Sequence, residues 1–330
     1  MKGEKMENEI CYYCNLTTFR SIISNQTLWL SDIHFMNDSS EETLFLEELS
    51  QVMREQDESL SDSTKKYLEK SKFIKSFFTH IEKHYKNFVY ICCFSDGIND
   101  NLSQWRGYAD DGKGLCIGFN KDAIQELSNN SNKIKSEVFT NEEKRNDKVS
   151  ISKMFAQRTI SYASKEDILC ELRDKIQPII EAYDIADKNN YVDLPDVKLT
   201  QELYKKTFNY KGFYKNNSFI SEKEYRLCFF DTLHEDAIGI ADDALMNNMK
   251  KIYIFENETV ISELRYRESR GTLIPYREMK FPMDYFKKIL SSVTIGPKNP
   301  MSVQDVQYFL ISNGFNTSTV KVTKSESTYQ

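Results

Sequence analysis

The most constraining stretch of the chain is Phe88–Phe94, an unbroken run of apolar residues. A strand with one face in water alternates apolar and polar residues, whereas a strand buried on both faces does not. The run is also too short for a typical helix. It therefore predicts a central strand, and the rest of the chain has to cover both faces of the sheet that contains it.

The composition is that of a globular protein with a large core. Of 330 residues, 40% are hydrophobic and 13% are aromatic, and glycine and proline are sparse. The formal net charge of −6 argues against a general binder of the phosphate backbone and leaves nucleic acid as a specific substrate. No apolar run approaches the roughly 20 residues that cross a bilayer, and the amino terminus lacks a signal-peptide core. We expect no membrane partner and a cytoplasmic location.

Hydrophobic periodicity predicts an α+β fold with a mixed, largely antiparallel sheet. Segments rich in lysine and glutamate predict long helical insertions at about 41–86 and 141–214. We expect one domain over residues 1–330, with a frayed end over 324–330. The remaining predictions are strands over 9–14, 27–31, 115–119, 134–138, 250–256, 272–277, 289–297 and 317–322, and helices over 18–24, 120–129 and 302–312.

The stretch Ser103–Phe119 combines a short helix, a glycine-rich turn and a strand. Two interpretations are open. The stretch is a packed corner held by a core tryptophan, or it borders a ligand site. In the second case glycines let the backbone approach a ligand, and the aromatic rings and arginine offer stacking and charge. The candidate cofactor-binding residues here are Trp105, Arg106, Tyr108, Lys113 and Gly114.

A second candidate is the alternating stretch Phe219–Phe230. On a strand, residues two apart share a face, so Glu222, Glu224 and Arg226 are expected to project together. Two carboxylates beside a guanidinium can bind a ribose or stabilise a cationic transition state. A solvated strand face that carries an ion pair is the alternative interpretation.

The cysteines indicate no metal site. Their number is seven, and most lie in apolar strand-like runs, which is typical of reduced, buried thiols. Cys11 and Cys14 have the spacing of a zinc knuckle, but no second pair follows at a usable distance.

Four stretches in order resemble a family of bacterial proteins known as domain of unknown function 2971. They are YYCNLTTFRSIISNQTLWLSDIHFMNDSSEE, CFSDGINDNLSQWRGYADDGKGLCIGF, SFISEKEYRL and SSVTIGP. The resemblance spans most of the chain outside the two insertions. The family name implies no activity.

The first strand, helix and second strand also resemble the ADP-ribosyltransferase fold, notably toxins that modify DNA bases. The resemblance implies NAD as the substrate, with Tyr12 where the family has a first-strand histidine. Either Glu224 or Glu222 takes the place of the catalytic glutamate. The cofactor-binding set implied is Asn37, Asp38, Trp105, Arg106, Tyr108, Lys113, Gly114 and Arg226.

The function implied is an ADP-ribosyltransferase-like enzyme with an unknown macromolecular acceptor, protein or nucleic acid, acting as a bacterial toxin or in phage defence. Two other classes stay open. One is a sensor that binds a protein partner through the helical insertions. The other is a metal-dependent nuclease or hydrolase, because hard cations prefer carboxylate oxygens; its candidate ligands are Asp38, Glu41, Asp96, Glu222 and Glu224.

Overall fold

The computed structural model describes twelve ranges of residues in the chain. These are residues 8–36, 89–97, 100–130, 134–139, 144–145, 155–164, 166–167, 169–170, 173–174, 213–231, 250–269 and 271–329. Their contacts form two compact units, the first made of Met1–Asp32, Tyr90–Thr159 and Ser221–Gln330, the second of Ile33–Val89 and Ile160–Ile220. The expectation of one domain stays a prediction.

Strands dominate the described part of the chain. The helices are α1 (Leu16–Asn25), α2 (Leu102–Tyr108), α3 (Lys121–Asn130), α4 (Met283–Ile289) and α5 (Val303–Ser312), with 3₁₀ helices at Ile33–Phe35, Asp110–Gly112 and Asn217–Glu222. The strands are β1 (Glu9–Cys14), β2 (Thr27–Asp32), β3 (Val89–Asp96), β4 (Leu115–Asn120), β5 (Ile134–Phe139), β6 (Lys144–Arg145), β7 (Phe155–Thr159), β8 (Ser161–Ala163), β9 (Tyr214–Asn216), β10 (Glu224–Phe230), β11 (Lys251–Phe255), β12 (Val260–Ile261), β13 (Arg265–Ser269), β14 (Thr272–Lys280), β15 (Leu290–Ile295) and β16 (Lys321–Lys324).

The first unit is built on one mixed, largely antiparallel sheet, which confirms the predicted α+β class. The main path of strands runs β16-β15-β4-β1-β3-β2-β14-β12-β11-β5-β6, with β10 bonded to β3 and β7, and β13 bonded to β14. The β15–β16 pair is parallel. The second unit contains the separate parallel pair of β8 and β9.

The apolar run predicted to be central forms β3, and this strand joins three others. Near its end, Cys11 of β1 pairs with Ser95, and near its start Ser31 of β2 pairs with Ile91. The Asp96 N–H donates to the Lys223 carbonyl, at the entrance to β10. β3 is therefore the strand that brings β1, β2 and β10 together.

The sheet has one face in the main core, and side chains alternate between this core face and the opposite face. Helices α1, α3, α4 and α5 cover the core face with their buried residues, and burial of this apolar surface is the main stabilising contribution. Strand residues on it include Ile10, Leu28, Leu30, Tyr90, Phe94, Ile117, Tyr225, Leu227 and Phe229. We call the opposite side, which carries many polar side chains, the polar face.

Three expectations need correction. The second predicted helical insertion, at about 141–214, contains β6, β7 and β8 in its part over 141–188, and β7 pairs with β10 throughout its length. The predicted frayed end is bonded to the body, because the Ser325 N–H donates to the Ile295 carbonyl. Strands β12 and β13 and helix α4 were not foreseen. The insertion over about 41–86 lies outside the described residues.

No helix in the described ranges is both long and apolar enough to cross a membrane.

Candidate functional site

A buried ion pair lies on the polar face at the start of β10. Arg226 Nε donates to Glu224 Oε1 at 2.6 Å, and Arg226 Nη2 donates to Glu224 Oε2 at 3.1 Å. Alternation along β10 sends both side chains away from the core face, which Tyr225 and Leu227 occupy. The glutamate side chain is 6% exposed and the arginine side chain 1%. Two charges so far from water persist because they are paired by two hydrogen bonds.

Cys93 lies beside this pair on the polar side of β3. Burial raises the pKa of its thiol, and the Glu224 carboxylate, which interacts with the thiol directly, raises it further. A thiol with a raised pKa stays protonated near neutral pH and is a poor nucleophile. Cys93 therefore contributes a neutral S–H group to this site.

Glu222 does not share the strand face expected for it. It ends a 3₁₀ helix, and Lys223 adopts a left-handed conformation with φ of 45°, which breaks the alternation before β10 begins. Its backbone carbonyl accepts from Ser95 Oγ at 3.2 Å, and its Oε1 accepts from the Tyr108 hydroxyl at 2.9 Å. The half-buried Glu222 thus pairs with Tyr108, and it lies two residues along the chain from Glu224 of the buried ion pair.

Tyr12 belongs to the other side of the sheet. It packs against the core cluster, with its ring 5.9 Å from that of Phe94, and pairs in register with the core residue Ile117. Burial raises the pKa of its hydroxyl well above the ordinary value. Alternation therefore directs Tyr12 and Glu224 to opposite faces, so these two residues, which the ADP-ribosyltransferase resemblance assigns to one catalytic site, do not meet.

Trp105 is a core residue, which favours the packed-corner interpretation of its helix. It is fully buried, its ring meets Tyr13 edge-on at 4.8 Å, and its Nε1 donates to Asp100 Oδ1 at 2.7 Å. Because protein atoms cover the whole indole ring, no part of it is accessible to a ligand. The expectation that Trp105 stacks on a cofactor is corrected.

The turn Asp110–Gly114 is also structural. The N–H groups of Gly112, Lys113 and Gly114 donate to backbone carbonyls within the turn, so they are occupied and do not form an anion cradle. A Cβ at Gly114 would lie 2.1 Å from the Cys14 carbonyl oxygen, so the glycine serves close packing of two chain segments. The Lys113 and Gly114 backbones thus pack protein against protein rather than approaching a cofactor.

Arg106 lies on the exposed side of α2, beside the carboxyl-terminal tail. Its guanidinium carbon is 5.9 Å from the centre of the Tyr329 ring. The Tyr329 hydroxyl donates to Asp111 Oδ1 at 2.7 Å, and Lys298 Nζ donates to Asp111 Oδ2 at 2.8 Å. Arg106 and Tyr108 are the members of the predicted helix set that present side chains to solvent.

The candidate ligands of a metal-dependent nuclease or hydrolase do not form a cluster among the described residues. Asp38, Glu41 and the cofactor candidate Asn37 lie outside the described residues. The Asp96 carboxylate accepts from Lys121 Nζ at 2.8 Å and from Thr159 Oγ1 at 2.9 Å. In the part of the chain that the structure describes, no group of three or more His, Cys, Asp or Glu could hold a metal ion.

Cys11 and Cys14 cannot chelate one ion together, in agreement with the prediction of no site there. Cys14 belongs to the main core, and Cys11 to a smaller cluster with Trp105 on the polar face. All seven cysteines are free thiols.

Two polar clusters were missed by sequence reasoning. Glu9, 3% exposed, accepts hydrogen bonds at Oε1 from Ser291 and Ser292. The buried Arg277 donates through Nη2 to Asp231 Oδ2 and through Nη1 to the Lys251 carbonyl. Each cluster joins segments that are far apart in the sequence, so no local sequence motif predicts it.

Comparison with known families gives one match. The model of the family described as Protein of unknown function (DUF2971) matches residues 104–227, a range that includes α2 from Gln104 onward, the glycine-rich turn and β10 as far as Leu227. This confirms the family resemblance found in the sequence. No curated protein and no solved structure matches the chain.

Proposed function

We propose that this chain, which matches the DUF2971 family model over residues 104–227, is an ADP-ribosyltransferase-like enzyme that uses NAD⁺ as its substrate. The observation that carries the proposal is the buried Glu224 carboxylate, which Arg226 holds by two hydrogen bonds at the first residue of a strand. A carboxylate fixed in this way keeps its orientation while charge develops on a substrate.

The reaction needs a carboxylate at the ribose. When the bond between nicotinamide and ribose C1′ breaks, its electron pair leaves with nicotinamide, and positive charge develops on the ribose. A carboxylate that accepts a hydrogen bond from the 2′-hydroxyl stabilises this transition state more than the ground state. We assign this role to Glu224. Arg226 donates two hydrogen bonds to this carboxylate and fixes its orientation, so Arg226 is a positioning residue.

Glu222, which is half-buried, suits the second half of the reaction. A new bond joins C1′ to an oxygen or nitrogen of the acceptor, and the proton of that group passes to Glu222. The Tyr108 hydroxyl orients the Glu222 carboxylate from α2. Arg106, exposed on the same helix, can pair with the pyrophosphate. Tyr12, Trp105 and Gly114 take no part, since their contacts are internal to the fold. Lys113 contributes its backbone to the turn, and its side chain is exposed.

The acceptor in this proposal is a macromolecule, protein or nucleic acid, inside a bacterial cell. A toxin or a phage-defence effector is the role that suits such an activity. The alternative of a partner-binding module depends on insertions that lie mostly outside the described residues.

The test is incubation of the purified protein with NAD⁺ labelled in its adenylate phosphate, with and without cell extract. The wild type is expected to release nicotinamide and to label an acceptor, and Glu224→Gln is expected to lose both activities. Glu278→Gln is a matched control, because Glu278 also pairs with an arginine, at 2.6 Å, on the same sheet. Absence of nicotinamide release together with absence of NAD⁺ binding by the wild type would refute the proposal.

A further inference from the structure

Trp29 presents its indole ring on the polar face of β2, where the residue is 37% exposed. Its neighbours along the strand, Leu28 and Leu30, are fully buried in the core. The indole lies against the Tyr276 ring, with centroids 4.8 Å apart and planes tilted by 38°. The Arg267 guanidinium carbon is 5.9 Å from the Trp29 ring centre. We call Trp29, Arg267 and Tyr276 the tryptophan platform.

Arg267 has an incompletely bonded guanidinium. Its Nη2 reaches Ser31 Oγ at 3.4 Å, a long hydrogen bond, and its Nε is buried with no hydrogen-bond partner. A buried N–H without an acceptor is unfavourable, and such groups call for an explanation. On the same strand, Arg265 Nη1 is neutralised by Glu278 at 2.6 Å. Arg267 is therefore a cation on this surface whose guanidinium could gain a hydrogen-bond acceptor from an added anion.

An aromatic ring beside an arginine matches the chemistry of a nucleotide unit within a strand. The base stacks on the ring, and the adjacent phosphate pairs with the guanidinium. Free nucleotides are held mainly in concave pockets that enclose most of the ligand. The platform instead lies on the surface of the sheet, where Trp29 is 37% exposed. An open surface of this kind suits a polymer that crosses it.

We propose that the tryptophan platform binds single-stranded nucleic acid, with a base stacked on Trp29 and a phosphate paired to Arg267. The inference does not rest on the proposed NAD⁺ chemistry, because none of these residues takes part in that reaction. The net charge of −6 requires that the contact be local. Salt dependence should accordingly be weak, with a slope near −0.7 for each phosphate neutralised.

The chain offers its own probe for this binding. It has two tryptophans, and Trp105 is fully buried, so quenching of the intrinsic fluorescence by a ligand reports on Trp29. We expect 12-nucleotide single strands of DNA or RNA to quench the wild type saturably. Labelled strands in an anisotropy assay then give the affinities of variants. Trp29→Phe should bind nearly as well as the wild type, whereas Trp29→Ala should bind about tenfold more weakly.

The controls separate a specific platform from general effects. Arg267→Ala should weaken binding and reduce the salt slope by about 0.7, whereas Arg20→Ala and Tyr308→Ala, exposed on α1 and α5, should match the wild type. Glu224→Gln should also bind normally, so failure here is distinguishable from failure of the enzymatic proposal. A cooperative melting transition above the assay temperature confirms that each variant is folded. The proposal is overturned if single strands do not bind, if Trp29→Ala and Arg267→Ala bind like the wild type, or if AMP competes as well as the oligonucleotide.

Discussion

Arg226 and Glu224 lie two residues apart on one strand, and the guanidinium closes on the carboxylate through two hydrogen bonds of 2.6 and 3.1 Å. Arg226 is fully buried. Each charge compensates the other, because neither can be hydrated in place. The same geometry makes the pair costly to break and fixes the direction in which the carboxylate points.

Replacing Arg226 by methionine should lower the free energy of unfolding by about 3–5 kcal/mol, because it leaves a buried carboxylate without its partner. Arg265→Met is the matched control. Arg265 bonds Glu278 at 2.6 Å but its side chain is 44% exposed, so its loss should cost under about 1 kcal/mol. Urea unfolding at pH 7 measures both. Equal losses in the two variants would show that burial does not govern the Arg226 pair.

Cys93 should be slow to alkylate near neutral pH. Burial and the nearby Glu224 carboxylate both raise the pKa of its thiol, so little thiolate is present. Cys170 is exposed and serves as the internal control. Mass spectrometry after timed iodoacetamide treatment should find Cys170 modified first, and Glu224→Gln should speed the reaction at Cys93. Similar rates at the two cysteines in the wild type would contradict the described packing.

Two glycines should respond in opposite directions to alanine. A Cβ at Gly118 would lie 2.0 Å from Glu9 Oε1 and 2.2 Å from Ser292 Oγ, whereas a Cβ at Gly107 would meet nothing within 4 Å. Gly118→Ala should therefore lower the free energy of unfolding by about 1–3 kcal/mol, as overpacking of a protein core does. Gly107→Ala, in α2, should be neutral or stabilise by up to about 1 kcal/mol. Thermal melting of the two variants gives the comparison, and a stable Gly118→Ala protein would count against the Glu9 cluster.

The carboxyl-terminal tail should contribute stability that depends on pH. Hydrogen bonds from Lys298 and then Tyr329 hold the pKa of Asp111 below its ordinary value of 3.8. A lowered pKa in the folded state means that the contribution is complete above the ordinary value and is lost as the pH falls through the lowered one. The melting temperature of Asp111→Asn should lie below that of the wild type at pH 7 and 5, and the difference should shrink toward pH 3 and below. A difference that grew on acidification would refute this linkage.

Local patterns predicted the elements that carry strong periodicity. The apolar run became β3, and the predicted helix over 302–312 became α5, capped by Ser302 in a capping box with Asp305. The segment over 141–188 was misjudged because its strands are short and polar, and β7 is stabilised by pairing with β10 rather than by its own sequence.

The site residues were harder to predict than the fold, for a physical reason. Whether Trp105 binds a ligand or fills the core depends on Tyr13 and Asp100, which reach it only in the folded chain. Glu222 does not lie on the predicted strand face because Lys223 adopts a left-handed conformation. Positive φ is uncommon for residues other than glycine, so a lysine gives no sequence signal for this conformation. Glu224 and Arg226 were predicted correctly to share a face, since period-two alternation is a property of the strand itself.

The most direct test of the central claim is the rate of nicotinamide release from NAD⁺ by Glu224→Gln, measured beside its NAD⁺ affinity by calorimetry. Glutamine keeps the shape of the side chain and removes its charge, and the charge is what stabilises the ribose cation. We predict a fall in kcat of at least about 100-fold with a Kd within about threefold of the wild type, the pattern of a contact made mainly in the transition state. An unchanged kcat in Glu224→Gln, with measurable release by the wild type, would contradict the assignment of Glu224 as the catalytic carboxylate.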